Sequence, residues 1–212
     1  MRTIVIATQN PGKVAELRAL LAGLEIEVLG LADLSSRFDE PAEHGRTFEQ
    51  NAAIKALAYA AMTGLACLAD DSGLEVDALA GRPGVDSAYY AYPGEAEARQ
   101  HPRNVRDPKN IERVLGELEG VPLEKRSARF VCCMALAQHD AVLATSRGCF
   151  EGRIGIPPRV PAGTHGFGYD PIFLVAPDFQ YTSAELAPEE KNAISHRAHA
   201  ARAIVDKVRA LI

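Results

Sequence analysis

Thr3-Ile4-Val5-Ile6-Ala7-Thr8-Gln9-Asn10-Pro11-Gly12-Lys13 decides the fold class. Thr3 to Ala7 is a short apolar run rich in β-branched residues and reads as a buried strand. Asn10-Pro11-Gly12 turns the chain. Val14, Leu17, Leu20 and Leu21 then recur at helical spacing, and Gly23 is a stop. Ile26, Val28 and Leu29 supply a second strand. A chain that opens strand, turn, helix, strand is predicted to be α/β.

Outward from that start, residues 30–46 are irregular, acidic and turn-rich. Thr47-Phe48-Glu49-Gln50 has capping-box spacing and predicts an Ala-rich helix to about Thr63, stopped by Gly64. Leu65 to Ala69 reads as a strand ending in Asp70-Asp71-Ser72-Gly73. Asp107-Pro108 reads as an N-cap followed by proline at the first helical position, with Ile111, Val114, Leu115 and Leu118 as the apolar stripe. Arg129 to Gln138 and Ala141 to Phe150 predict a hairpin turning at His139-Asp140, its first strand apolar in both parities and so covered on both faces. A Gly/Pro-rich loop covers 152–168, a short strand runs from Ile172 to Val175, and a last helix from His196 to Leu211 has Ser195 as its cap.

With 212 residues and no repeat or Ser/Gly linker, the chain is expected to be one domain over 1–212 with two lobes. Charged residues at 24% and hydrophobic residues at 47% exclude a disordered chain. A net charge of −5 argues against a nucleic-acid-binding surface. No apolar run reaches the length of a membrane span, and the apolar start is too short for a signal peptide. Cys67, Cys132, Cys133 and Cys149 form no C-x-x-C pair and read as buried thiols of a reducing cytoplasm.

Four segments bear chemistry. Thr8 to Lys13 lies between strand and helix, where free backbone amides attract anions and Lys13 adds a charge. It lacks Walker A spacing, and on local physics alone an ordinary βα turn with a solvated lysine is the favoured alternative. Asp70-Asp71 juxtaposes two carboxylates whose repulsion a divalent cation would relieve, and hard oxygen ligands suit Mg²⁺. Successive strand residues face opposite sides, so one Asp is expected per face; a solvated Asp-Ser-Gly turn is the plain alternative. Gly166-Phe167-Gly168-Tyr169-Asp170-Pro171 presents either an aromatic ring for stacking on a base or two core aromatics. Lys191-Asn192-Ala193-Ile194-Ser195-His196-Arg197 places three basic side chains around a helix start, or forms a solvated charged face.

In order along nearly the whole chain, Ala7–Lys13, Thr47-Phe48-Glu49-Gln50-Asn51-Ala52, Ala69–Leu74, Gly166–Pro171 and Glu190–Arg197 resemble the motifs of the inosine triphosphate pyrophosphatase family, the non-canonical purine NTP pyrophosphatases. About Glu95 to Lys125 little resemblance is seen. The resemblance implies an α/β fold of two lobes around an elongated mixed sheet with flanking helices and a nucleotide cleft between the lobes. It also implies a homodimer and Mg²⁺-dependent hydrolysis of ITP, dITP and XTP to the monophosphate and pyrophosphate. By the same resemblance Thr8, Gln9, Asn10, Pro11, Gly12 and Lys13 hold the triphosphate. Asp71 is the general base and a Mg²⁺ ligand, and Ser72 touches substrate. Phe167, Gly168, Tyr169, Asp170, Lys191, His196 and Arg197 surround the base and sugar. Glu40, five residues before Gly45, matches a second metal position, with Glu43 the neighbouring alternative. A Maf-like pyrophosphatase for other modified nucleotides and a nucleotide-binding module without turnover are the competing functions. The His196-Arg197 pair and the Phe-Gly-Tyr-Asp loop argue against the first, and Lys13 with the acidic pair against the second.

Overall fold

The computed structural model of the chain describes residues 2–9 and 11–211, without the side chains of Pro11, Gly12 and Glu16. The role expected of Asn10 therefore falls outside the described residues. Six strands, β1 (Thr3–Ile6), β2 (Glu27–Gly30), β3 (Ala66–Val76), β4 (Ser127–Gln138), β5 (Ala141–Ile154) and β6 (Phe173–Val175), form one sheet in the order β2-β1-β3-β4-β5-β6. β1 is parallel to β2 and β3, whereas β5 and β6 are antiparallel, so the sheet is mixed, as the α/β reading expected. The helices are α1 (Pro11–Leu21), α2 (Phe48–Thr63), α3 (Glu95–Ala98), α4 (Arg103–Glu117), α5 (Pro188–Ile194) and α6 (His196–Arg209).

The chain forms two compact units. The first comprises Met1–Ser72, Cys132–Gly148 and His196–Ile212, and the second Gly73–Val131 and Cys149–Ser195. In the first, Ile4, Ile6, Ala66, Leu68, Cys132, Met134 and Leu136 pack with Leu17 and Leu21 of α1 and Ala200, Ala201, Ile204 and Val208 of α6. In the second, Leu74, Val76, Val114, Leu118 and Ile154 surround a ring cluster in which Phe173 lies 4.6 Å from Phe130 and 5.4 Å from Phe150. Arg126, buried there, donates to the carbonyls of Leu118, Val121 and Gly155 at 2.7–3.0 Å, so its charge is solvated by peptide dipoles.

The Thr47 cap forms, its hydroxyl accepting from the Gln50 amide, but the Gln50 side chain accepts from Arg46 N–H rather than from Thr47. Gly64 ends α2 with φ 70°. Three expectations fail. Asp70-Asp71-Ser72-Gly73 does not terminate its strand: Leu74 and Val76 stay buried in alternation, and β3 continues to Val76. Asp107 is not a cap: α4 begins at Arg103 after Pro102 and carries Pro108 inside. Pro108 at that depth forfeits one backbone hydrogen bond, and the Asp107 side chain is used elsewhere. α5 was not foreseen, and β6 begins at Phe173 because Asp170–Ile172 form a 3₁₀ turn.

Candidate active site

Thr8, Gln9 and Lys13 meet the acidic pair in the first unit because of register. Ile6, the last residue of β1, pairs with Leu68, so Asp70 and Asp71 extend beyond the end of β1, beside the start of α1. The rule that functional groups gather at the carboxyl end of a parallel strand thus holds for β1, not β3. Thr8 is half-buried and Gln9 exposed; both line a cavity of ≈ 750 Å³ with Val14, Arg18 and Asp33. A larger cavity, ≈ 900 Å³ in the second unit, is lined by none of the expected site residues.

Alternation along β3 separates the two carboxylates. Asp70 shares parity with Ala66 and Leu68, whose face is covered by α1 and α6. There its Oδ2 accepts from Lys13 Nζ at 2.7 Å and lies 3.7 Å from Arg197 Nε. Lys13 is therefore no solvated lysine: its side chain is only 20% exposed. Burial pushes the Asp70 carboxyl up, but the charges of Lys13, Arg197 and Lys55 outweigh it and hold it well below the usual carboxylate range. Asp71 points the other way, toward α2. Its Oδ1 accepts from Lys55 Nζ at 3.3 Å, while its Oδ2 is buried and has no hydrogen-bond partner.

Lys55 also pairs with Glu43 at 3.0 Å. Burial drags its ammonium down, yet Asp71, Glu43 and Asp70 raise it overall, so Lys55 stays charged. Neither Lys55 nor its pairing with Glu43 was anticipated. The signal was present: Phe48, Asn51, Ala52, Lys55, Ala56 and Tyr59 share one stripe of α2, so its lysine was destined for the buried face. The acidic segment is anchored by Asn51, whose Oδ1 accepts from Gly45 N–H at 2.8 Å. Glu40 lies close enough to Tyr59 for its charge, second to burial, to push that phenol up.

α6 delivers the last members of this set. A Cβ at Gly148 of β5 would sit 2.2 Å from the His196 carbonyl oxygen and 2.4 Å from Ala200 N, so the absent side chain lets α6 lie against the strand. Ser146 reinforces the contact by donating to Ala200 O at 2.8 Å. His196 is thereby buried, and Arg197 Nη2 comes within 3.5 Å of Ser72 Oγ. Arg197 thus stands at the acidic pair.

The second unit holds the aromatic loop. Gly166 has φ 77°, and a Cβ there would fall 2.1 Å from Asp170 Oδ2. Only glycine tolerates both constraints. Asp170, buried, accepts from Phe167 N–H at 2.8 Å and from Lys191 Nζ at 2.5 Å. Phe167 is consequently thrust outward, 48% exposed, while Tyr169 turns into the core and donates its hydroxyl to Ser87 O at 2.9 Å. Of the two rings, Phe167 is presented at the surface and Tyr169 is a core aromatic, so the Tyr169 side chain expected at the substrate packs inside the second unit.

Mg²⁺ is tested by the donor set. Among the described residues no three His, Cys, Asp or Glu side chains cluster as a closed metal site. Mg²⁺ takes one or two carboxylates and completes its shell with water and phosphate oxygens. The buried, unpartnered Asp71 Oδ2 fits that demand.

Fold and residues together define a class: a mixed α/β protein in which Lys13, Lys55 and Arg197 meet the carboxylates Asp70, Asp71 and Glu43 near the start of a helix. The Ham1 family model matches residues 4–207, and the chain belongs to the Ham1 family. It is 47% identical over 204 residues to the dITP/XTP pyrophosphatase of Nitratidesulfovibrio vulgaris, covering 96% of this chain and 94% of that protein. It is 48% identical over 200 residues to the dITP/XTP pyrophosphatase of Geobacillus kaustophilus, covering 94% and 91%. The structure of a HAM1 protein from Coxiella burnetii superposes with a TM-score of 0.82 at 42% identity, covering 98% of each chain.

Proposed function

We propose that the chain, as one functional domain over residues 1–212, is a Mg²⁺-dependent pyrophosphatase that hydrolyses ITP, dITP and XTP to the monophosphate and pyrophosphate. Relatives named dITP/XTP pyrophosphatases support the substrate class. The observation that carries the reading is the division between adjacent carboxylates: Asp70 is neutralised by Lys13 and Arg197, whereas Asp71 keeps a buried oxygen unclaimed. One is structural to a cationic phosphate site; the other is equipped as a base and ligand.

In this reading Thr8 to Lys13 bind the triphosphate, with Lys13 and Arg197 supplying positive charge and Ser72 a hydroxyl. Asp71 takes the proton of a water whose oxygen bonds to the α-phosphorus as the Pα–O bond to the pyrophosphate leaving group breaks. Asp71 and Glu40 would hold Mg²⁺, which when bound offsets phosphate charge. Lys55 orients Asp71 through Oδ1, leaving Oδ2 for chemistry. His196 and Arg197, expected around the base and sugar, lie in the first unit, where Arg197 also reaches the acidic pair. In the second unit the exposed Phe167 ring stacks on the base, and Gly168, Asp170 and Lys191 shape its loop.

A homodimer in the cytoplasm completes the proposal, the dimer supported by the family resemblance; no described helix is long and apolar enough to cross a membrane. Incubation with ITP and Mg²⁺, followed by separation of products, tests the reaction. IMP with pyrophosphate is the expected pair. IDP with orthophosphate would contradict cleavage at the α-phosphorus, and intact ITP would leave only a binding module.

A further inference from the structure

The stretch from Glu95 to Lys125, where the family resemblance fades, supplies two side chains to the aromatic loop. Arg103 and Asp107 stand one turn apart on α4, at i and i+4, and so share a face. Asp107 Oδ2 accepts from Gly168 N–H at 2.8 Å, and the Arg103 guanidinium lies 4.6 Å from the centroid of Phe167. Among the described residues Arg103 makes no ion pair, and its partner is the ring. Two carboxylates from different elements therefore hold successive amides, Asp170 the N–H of Phe167 and Asp107 the N–H of Gly168. Gly168, at φ 61°, reaches this left-handed conformation without strain, and glycine's freedom leaves the hydrogen bond to select it. The ring itself is 48% exposed, with Lys191 Nζ 5.6 Å from its centroid as a second, more distant cation.

We propose that Arg103 and Asp107 are positioning residues for base binding: Asp107 fixes the loop backbone and Arg103 stacks on Phe167, together setting the plane on which the purine lies. This rests on reading Phe167 as the base platform. An exposed phenyl ring on a two-glycine loop samples many orientations, and stacking needs one. Restricting it beforehand lowers the ordering cost of binding without touching the reacting phosphorus. The effect belongs in KM rather than kcat.

The test is ITP hydrolysis by Phe167→Ala, Arg103→Ala, Asp107→Ala and Asp107→Asn, with melting temperature followed for each. Phe167→Ala should raise KM by ~10-fold or more with kcat little changed. Arg103→Ala, an exposed change that leaves the fold intact, and Asp107→Ala should each raise KM by ~5- to 10-fold with kcat within about twofold. Asp107→Asn, whose amide oxygen still accepts from Gly168 N–H, should return KM most of the way to the parent value. If Phe167→Ala raises KM while Arg103→Ala and Asp107→Ala do not, the positioning role falls and the platform stands. A fall in kcat at constant KM, or Asp107→Asn as impaired as Asp107→Ala, also overturns it. An unchanged KM in Phe167→Ala would sink both the platform and the inference.

Discussion

Lys13 Nζ donates to Asp70 Oδ2 at 2.7 Å, with the carboxylate side chain only 2% exposed. The pair ties the first turn of α1 to β3 and fixes where a positive charge stands beside the expected phosphate loop. Lys13→Ala removes that charge and strips a buried carboxylate of its closest cation, with Arg197 left 3.7 Å away. Turnover should fall, and stability should fall with it by about 1–3 kcal/mol, the cost of an undersatisfied buried group. Thermal melting alongside kinetics checks this; an unchanged melting temperature would return Lys13 to the status of a solvated surface lysine.

Asp71 and Asp70 should respond differently to the same isosteric change. Asp71→Asn is expected to lose at least ~10²-fold in kcat with little loss of fold, because it removes a base whose Oδ2 is already without a partner. Asp70→Asn instead leaves Lys13 and Arg197 facing an amide, and its main effect should be on melting temperature and KM. Near-normal turnover in Asp71→Asn, with collapse in Asp70→Asn, would exchange the two roles.

Acid should probe the same corner. Burial raises the Asp70 carboxyl, but Lys13, Arg197 and Lys55 hold it below its ordinary 3.8. Glu49, opposed by burial and favoured by Arg147, is pushed down to about 2 from 4.5. Groups depressed in the folded state stabilise it fully above their unfolded values and lose that contribution as pH falls through the folded ones. Stability should therefore hold down to about pH 5 and decline below about pH 4. Urea midpoints from pH 6 to 2 should show a shallower decline in Asp70→Asn; an identical slope would remove Asp70 from the account.

Much of this was legible in the chain. Ile4-Val5-Ile6 followed by a turn and the Leu17/Leu21 stripe specify β1 and α1 locally, and both form. Period-two alternation separated Asp70 from Asp71, and the structure gives them opposite partners. What stayed hidden was non-local. Asp107-Pro108 has the local chemistry of a helix start, but the Asp107 side chain is claimed by Gly168 N–H, 61 residues away. Lys55 drew no reading of its own, because its partners Asp71 and Glu43 come from separate segments of the chain. Tyr169 and Phe167 differ only in which way a glycine-flanked loop turns them, and the buried Asp170 decides that.

Gly148 offers a test of how tightly α6 must sit. Gly148→Ala would drive a methyl into the His196 carbonyl and Ala200 N, both backbone atoms that cannot step aside alone. Stability should drop by about 1–3 kcal/mol, typical of overpacking. As α6 shifts, His196 and Arg197 move with it, and kcat/KM should fall by ~10-fold or more, since misplacements near 1 Å are costly. A variant with parental melting and kinetics would show that the helix adjusts without consequence.

Specificity is the sharpest consequence of a base platform joined to a pyrophosphatase reaction. Hypoxanthine and xanthine carry an oxygen at C6 where adenine carries an amino group, and guanine adds an amino group at C2. A site that hydrogen-bonds those edges leaves buried groups unpaired with the wrong base, whereas stacking on Phe167 favours all purines alike. The direct measurement is kcat/KM with Mg²⁺ for ITP, dITP, XTP, ATP and GTP, read by pyrophosphate release. The expected result is efficient cleavage of the first three, little distinction between ITP and dITP, and values for ATP and GTP lower by ~10²-fold or more. Comparable efficiency on ITP, ATP and GTP would contradict the account.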